Sequence, residues 1–415
     1  MMIRAACLLL VLWSALAHGG SLGAPFSFES TAVLPKGIRN VSFQGFTTEA
    51  FNKYNTDGNH ESISSALNKR VTWQDIVGGQ ESTQQGQSLQ ALLLDLGKDL
   101  NEVVGQTTGV VNVRATVTAP AIAYGLTEKW TIALAVPIVY SSTNIDTGFL
   151  AEQVLENFVG NELVAQGLAL QAERAAAKFV DLVNQKAISN GYEPMVGESN
   201  TRIGDVKIVN KYQIFKAPTL AVAVKQDVSL PTGTQANPHK VVDVGSGDAQ
   251  WDLGFGAVVD FTPIPSVTIT SHVSYTAQLA DYVTRHLPKS IDDSMSPDVD
   301  NNIYRDLGDI FALGASARYT LWEIWSLSTG YLFQAKGADV FLGSQFEAFR
   351  YEVMEFDTHQ RMHSLQLGLD FSTIPLFQAK KFMVPLQAGL AYTRVMAGEN
   401  VGADSILGFK LAVFF

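Results

Sequence analysis

The last ten residues, ILGFKLAVFF, place Leu407, Phe409, Leu411, Val413 and Phe415 on one side of an extended chain, with Gly408, Lys410 and Ala412 on the other. Successive side chains of a strand point to opposite faces, so a period of two predicts a strand with one apolar face. The pattern recurs upstream. Leu365, Leu367, Leu369 and Phe371 alternate with Gln366, Gly368, Asp370 and Ser372. Phe311, Leu313, Ala315, Ala317 and Tyr319 alternate with Gly314, Ser316, Arg318 and Thr320. Val267, Ile269, Val273 and Tyr275 face away from Thr268, Thr270, His272 and Ser274. Trp251, Leu253, Phe255, Val259 and Phe261 oppose Asp252, Gly254, Gly256 and Asp260, and Leu220, Val222, Val224 and Val228 oppose Lys225, Asp227 and Ser229.

Roughly twelve such segments are expected, at 38–48, 110–124, 130–142, 203–215, 219–231, 248–262, 266–281, 308–321, 326–338, 359–373, 381–396 and 404–415. Their connections alternate between short (125–129, 216–218, 263–266, 323–325, 375–380) and long (49–109, 143–202, 232–247, 282–307, 339–358, 397–403). A secreted sandwich or propeller has no reason to sort its loops by length in this way. A transmembrane antiparallel β-barrel does: short turns at one end, long loops at the other, an even strand number, an apolar outer band and a polar lumen. Closure also removes the edge strands that hydrocarbon cannot tolerate. The fold expected is therefore all-β, a barrel of about twelve strands (ten to fourteen) spanning 38–415, with helical insertions in the long loops. Pro120, Pro137 and Pro385 fall within the expected strands, where each removes a ladder donor. They mark bulges or places where a loop packs on the wall.

The opening MMIRAACLLLVLWSALAHGG has a basic start at Arg4, an apolar run from Ala5 to Trp13 and an Ala15-Leu16-Ala17 cleavage site. It is expected to be an export signal over 1–17, removed near Ala17. Residues 18–37 are expected to form a periplasmic N-terminal segment. The one cysteine, Cys7, lies inside that signal, which leaves no disulfide scaffold, thiolate zinc site or cysteine nucleophile. A formal charge of −11 argues against a nucleic-acid partner. The expected partners are outer-membrane lipid and lipopolysaccharide, the barrel-assembly machinery and a small-molecule solute, in a bacterial outer membrane. The row Phe409, Leu411, Val413 and Phe415, ending on an aromatic residue, resembles the C-terminal signal that the assembly machinery reads.

Several short motifs add a resemblance. Leu34–Gly37, Tyr124–Thr127, Gly204–Asp205, Leu230–Gly233 and Gly245–Asp248 are similar to those of the outer-membrane transporter group named after the phenol meta-degradation pathway. That group is related to the long-chain fatty acid transporter class of β-barrels. The resemblance covers most of the chain in layout and implies uptake of hydrophobic or aromatic small molecules. The loops at 49–109 and 143–202 depart from it in being longer and more helical.

Two of those loops carry helical periodicity. Residues 86–106 place Leu89, Leu92, Leu93, Leu96, Leu100, Val103 and Val104 at three- and four-residue spacing. Residues 149–189 do the same with Leu150, Val154, Leu155, Phe158, Leu163, Phe179, Val180 and Val183. Leu92, Leu96, Leu155, Phe158 and Phe179 are the candidates for a gate or landing site at the mouth. The alternative is a solvated cap whose helices bury their stripes on each other. The run 291–309 carries six Asp and reads as a solvated acidic loop or as a divalent-cation or lipopolysaccharide contact.

The polar rows nominate Lys225, Asp227, Asp252, Asp260, His272, Arg318 and Asp370 as lumen-lining residues. Mixed charges inside a barrel of this size tend to pair across it. Ser271 and His272 are neighbours on one strand and so face opposite ways. His359 and His363 share the outer end of another strand, where a rim position competes with metal binding. No H-E-x-x-H or phosphate-binding glycine loop occurs, so neither an enzyme nor a cofactor is expected. The expected function is passive admission of a small, hydrophobic or aromatic solute. The rival is a structural or adhesion barrel whose outer loops bind a partner.

Overall fold

The computed structural model describes residues 28–415 apart from 66–67, 69, 75–83, 96, 152–184, 186, 195, 242 and 292–294. The expected export signal and residues 18–27 lie outside the described residues.

Alternation of apolar and polar side chains closes the chain into a barrel of 12 antiparallel strands. They are β1 (Arg39–Ala50), β2 (Val103–Thr127), β3 in two halves (Trp130–Ala135 and Ile138–Ala151) and β4 in two halves (Glu198–Ile203 and Val206–Lys216). Then come β5 (Leu220–Leu230), β6 (Asp252–Ile264), β7 (Val267–Gln278) and β8 (Ile310–Leu321). The last four are β9 (Trp325–Lys336), β10 (Gln360–Ser372), β11 (Leu386–Glu399) and β12 (Ile406–Phe414). Each strand pairs with its successor, and β12 returns to β1 from Asn40↔Phe414 to Thr48↔Ile406. The last residue completes the seam: the Arg39 amide donates to the Phe415 carbonyl at 2.7 Å, and the Phe415 amide donates back at 3.0 Å. Closure leaves the barrel without an edge strand.

The apolar rows face outward. Phe311, Leu313 and Tyr319 on β8, Leu327 and Tyr331 on β9, and Leu365, Leu367 and Leu369 on β10 are all exposed. Their polar alternates turn inward, where Ser328, Ser364 and Gln366 are buried. Aromatic residues flank this band, with Tyr124, Trp130, Phe261, Tyr319 and Trp325 near the short turns and Phe255, Tyr275, Phe311 and Tyr331 nearer the long loops. An apolar belt edged by aromatic rings is the surface a bilayer solvates.

The prolines fall at irregularities. The β2–β3 ladder runs from Gly105↔Ala151 to Thr118↔Ile138 and resumes at Ala121↔Ala135, so Pro120 and Pro137 face one break. It is spanned by the Val136 amide on Pro120 O at 3.0 Å, and on the other side the Gly204 amide, between the halves of β4, donates to Pro137 O at 2.8 Å. Pro385 stands just before β11, where its missing N–H costs no ladder bond and its carbonyl accepts from the Phe414 amide at 3.1 Å.

At the long-loop end, helix α1 (Gln84–Asp95) is shorter than the helix expected over 86–106. Gly97 at φ +65° ends it, with the Lys98 amide on the Leu93 carbonyl at 2.9 Å. Val103 and Val104, which also fit a helical stripe, belong to β2 instead. Of the helix expected over 149–189, Phe149 to Ala151 end β3, 187–189 are helical, and 152–184 lie outside the described residues.

A second layer stands over β7–β9. Strands Asp281–His286, Val299–Asp306 and Val340–Leu342 form a small sheet, and helix α2 (Ala348–Glu355) packs on it around Val283, Leu287, Ile303, Phe341 and Tyr351. The acidic run supplies internal partners here. Asp298 pairs with Arg350 at 2.9 Å and Asp300 accepts from Tyr351. At the opposite end, helix α3 (Ile374–Gln378) fills the connection from β10 to β11.

Candidate functional site

The inward rows converge on the barrel axis. Lys225 lies 3.0 Å from Glu29, and Asp227 and His272 line the same interior space. Asp260 accepts from Thr270 Oγ at 2.6 Å. Arg318 faces inward with its buried Nε unpaired. Asp370 and Lys410 stand on either side of Gly389, their shared register partner on β11. Asp252 sits higher, between Ser229 and Gln278. The geometry brings Lys225, Asp227, Asp260 and His272 together around one feature that periodicity does not reveal.

That feature is the N-terminal strap. Residues 28–37, expected as a periplasmic segment, run inside the wall. The Glu29 carboxylate meets Lys225 at 3.0 Å and Lys211 at 3.6 Å, and Lys211 also donates to the Ser30 carbonyl at 2.9 Å. Thr31 donates to Asp260 from its amide at 2.8 Å and its hydroxyl at 2.7 Å, while Gln213 donates to the Thr31 carbonyl at 3.1 Å. The Leu34 amide donates to Thr131 Oγ at 2.7 Å, and the Gly37 amide to Gly125 O at 2.9 Å. Phe28 lies over Gly330 and Gly368, and a Cβ added at Gly368 would stand 2.5 Å from its ring. The available sequence clue was three lysines of inward parity, Lys207, Lys211 and Lys225, on two adjacent expected strands whose acidic residues of that parity are Asp205 and Asp227.

Above the strap the lumen holds a cavity of about 480 Å³. Phe28, Val117, Val209, Val258, Ala312 and Leu332 give it an apolar side, and Lys207, Lys225, Asp227, His272, Gln334 and Gln366 a polar one. This lies within the range of small-molecule sites, about 300–1,000 Å³.

At the mouth, three motifs that look like separate strand and turn signals form one knot. The Asp205 carboxylate accepts the Gly233 amide at 2.7 Å and the Asp248 amide at 3.0 Å. A side chain at Gly247 would collide with that carboxylate, which explains a glycine there. Thr232 ties the same turn to the Gly204 carbonyl at 2.9 Å. Asp248 is buried. Desolvation, followed by the neighbouring charges of Asp252 and Asp205, pushes its carboxyl up to about 7, against the opposing pull of the Gln250 amide and Arg305. Arg305 closes the knot, with Asp281 at 2.7 Å and the Asp248 carbonyl at 2.8 Å.

The gate candidates stand apart from this centre. Leu155, Phe158, Phe179 and Leu96 lie outside the described residues, as does the side chain of Leu92. His359 faces Glu399 at 3.7 Å and His363 bonds Tyr331, so the two do not share a ligand position. Among the described residues no group of three His, Cys, Asp or Glu is placed to hold a metal ion. Ser271 is exposed on the outer face and His272 is inside. Phe409, Leu411 and Val413 face outward on β12, and Phe415 is exposed.

No family model matches the chain, and no curated protein matches it in sequence. Solved structures do. A Pseudomonas aeruginosa FadL homologue is 8% identical over 97% of each chain with a TM-score of 0.32. The Ralstonia pickettii toluene transporter TbuX is 11% identical over 96% of each chain with a TM-score of 0.34. Neither of these two scores supports a shared fold. An outer membrane channel from Pseudomonas putida F1 is 10% identical, covers 95% of this chain and 100% of its own, and has a TM-score of 0.53, which places the two chains in one barrel fold.

Proposed function

We propose that this chain is an outer-membrane channel through which a small, hydrophobic or aromatic solute passes down its gradient. The observation that carries the reading is a closed barrel with a lipid-type outer surface around a half-apolar cavity of about 480 Å³. The barrel shared with an outer membrane channel supports it. On this reading the long loops and the acidic knot face the medium, and the short turns and the base of the strap face the periplasm. Lipid and lipopolysaccharide surround the outer belt. The chain is exported by its N-terminal signal and assembled through the row ending in Phe415. Solute is captured at the mouth, rests against Phe28 and Leu332, and leaves once the strap yields. The inward acids and bases hold the strap and order the water, and no catalytic role is assigned to them.

Permeation into liposomes loaded with purified protein tests this. Small aromatic and aliphatic solutes are expected to enter faster than into protein-free vesicles, and faster still when residues 28–34 are deleted. No permeation by either form refutes the channel. The strap filling the lumen favours a second reading, a non-transporting barrel whose outer loops bind a partner, and that result would establish it over the first.

A further inference from the structure

At the outer end of the lumen wall, three consecutive strands present one row of polar side chains. Ser229 on β5 is the register partner of Asp252 on β6, which is in turn the partner of Gln278 on β7. Cross-strand partners on one face stand about 5 Å apart. Each member of this row has a buried oxygen without a hydrogen bond: Ser229 Oγ, Asp252 Oδ1 and Gln278 Oε1. Ser229 is 0% exposed and Gln278 5%. Loop residue Asp248, also buried, closes over the row, its carboxylate 3.3 Å from Gln278 Nε2. Nearby, Gln250 Oε1 is a further buried oxygen with no partner.

Burial of polar oxygens without a close hydrogen bond is costly, and burial of carboxylates without an ion pair more so. Among the described residues neither Asp248 nor Asp252 forms an ion pair, because the nearby Arg305 is taken by Asp281. Lys207 continues the row on β4 as the partner of Ser229 and its charge acts on Asp252, but it forms no close ion pair with either carboxylate. Water would satisfy the oxygens and leave both charges in place. A hard divalent cation satisfies both at once, since calcium takes six to eight oxygens, carboxylate and neutral, in flexible geometry.

We propose that Asp248, Asp252, Gln278 and Ser229 form a binding site for a hard divalent cation, with calcium as the best fit. Two carboxylates, an amide oxygen and a hydroxyl supply up to six oxygens and a charge of −2, and the shielded position excludes the bulk of water. The bound ion fastens loop 231–251, with its Gly245–Asp248 motif, to the strand row. The site is independent of what passes through the lumen.

The test uses full-length protein purified in detergent, stripped of lipopolysaccharide and treated with chelator. Terbium stands in for calcium, and Trp251, next to Asp252, sensitises its luminescence. One equivalent of terbium is expected to bind and to be displaced by calcium. Asp252→Asn and Gln278→Leu are each expected to weaken binding at least tenfold, while Asp298→Asn, whose contacts are with Arg350, Ser296 and His286 in the cap and not with the row, leaves it unchanged. Displacement by magnesium supports the same class of ion. The inference fails if wild-type protein gives no saturable luminescence, if sodium at matched ionic strength displaces the terbium, or if the variants bind as tightly as wild type. Should Asp252→Asn not fold, Gln278→Leu and Ser229→Ala decide the matter together with the wild-type titration.

Discussion

Replacing Glu29 with Gln probes how firmly the strap closes the lumen. Glu29 meets Lys225 at 3.0 Å and Lys211 at 3.6 Å, with all three side chains between 19% and 30% exposed. A hydrogen bond to a charged group contributes about 1.5–3 kcal/mol net. The longer pair adds about 1 kcal/mol at the dielectric of a wet lumen. The amide of Gln still accepts from Lys225, so the loss is the charge part of both contacts, about 2 kcal/mol. The ratio of undocked to docked strap then rises about thirtyfold. In planar bilayers, single-channel recordings should show openings about thirty times more frequent at unchanged unitary conductance. Reversal potentials in a salt gradient should move toward anion preference, because Lys211 and Lys225 lose their counter-charge. Lys225→Gln alone should raise opening as well, and the double variant should fall short of the sum of the two, since partners in contact are not additive. Unchanged opening frequency together with unchanged selectivity would refute the strap as the element that closes the lumen. So would strict additivity of the pair.

Gly368→Leu drives a side chain into the Phe28 ring and should open the channel as Glu29→Gln does, measured by the same recordings. Arg350→Ala removes donors to the carbonyls of Leu287 and Pro288 and the partner of Asp298, a cost of about 3–5 kcal/mol confined to the cap. Protease should then cut between 287 and 299 while the barrel keeps its heat-modifiable migration on gels. His286 is stacked on Tyr192, faces His239 at 3.1 Å and Asp298, and donates toward the Ser296 carbonyl; burial holds its pKa below the ordinary histidine value. Its neutral form is favoured in the fold, so its contribution is full above about pH 6.5 and is lost as pH falls through the lowered value, and proteolysis of this loop should accelerate in that window. Deleting Phe415 removes both seam bonds to Arg39 and should lower the amount of assembled barrel in outer-membrane fractions without blocking export.

The wall of this protein was legible because a bilayer enforces its pattern. Each strand must show lipid an unbroken apolar row, so Leu365, Leu367, Leu369 and Phe371 could be placed outward and Gln366, Gly368 and Asp370 inward without any knowledge of their neighbours. Loop sorting then fixed strand number and closure. Two kinds of feature escaped. Local competition hid the end of helix α1, because Val103 and Val104 extend a 3.6-residue stripe and yet are β-branched residues suited to a strand, and only the backbone reversal at Gly97 decides between them. Long-range docking hid the strap. Thr31 and Asp260 are 229 residues apart, and nothing in the periodicity around FSFEST marks it as lumen filler. The mouth knot lay between these extremes. Its motifs were recognisable one by one, but their convergence on Asp205 depends on the register of β4 and β5 with the loop folded back over them.

The register also orders charge along the lumen. On β6 the inward positions Asp252, Gly256 and Asp260 follow one another at four-residue steps, and they face Ser229, Lys225 and Ala221 of β5. Lys225 therefore sits about 13 Å from an acidic level above it and another below it. Lys211, its register partner on β4, reinforces the basic level, and Asp227 near the upper step grades the change between them. Glu29 offsets the lysine level and Lys207 shares the row of Asp252, so a solute of either sign meets a like charge or competes with a paired one there. A neutral solute meets neither, and along its way it finds Val209, Val258 and Leu332 between the charged rows. Layers of alternating sign thus work against ions of either kind while the apolar side of the cavity remains continuous. A channel for uncharged, hydrophobic molecules needs that arrangement, whereas a general porin would be impeded by it.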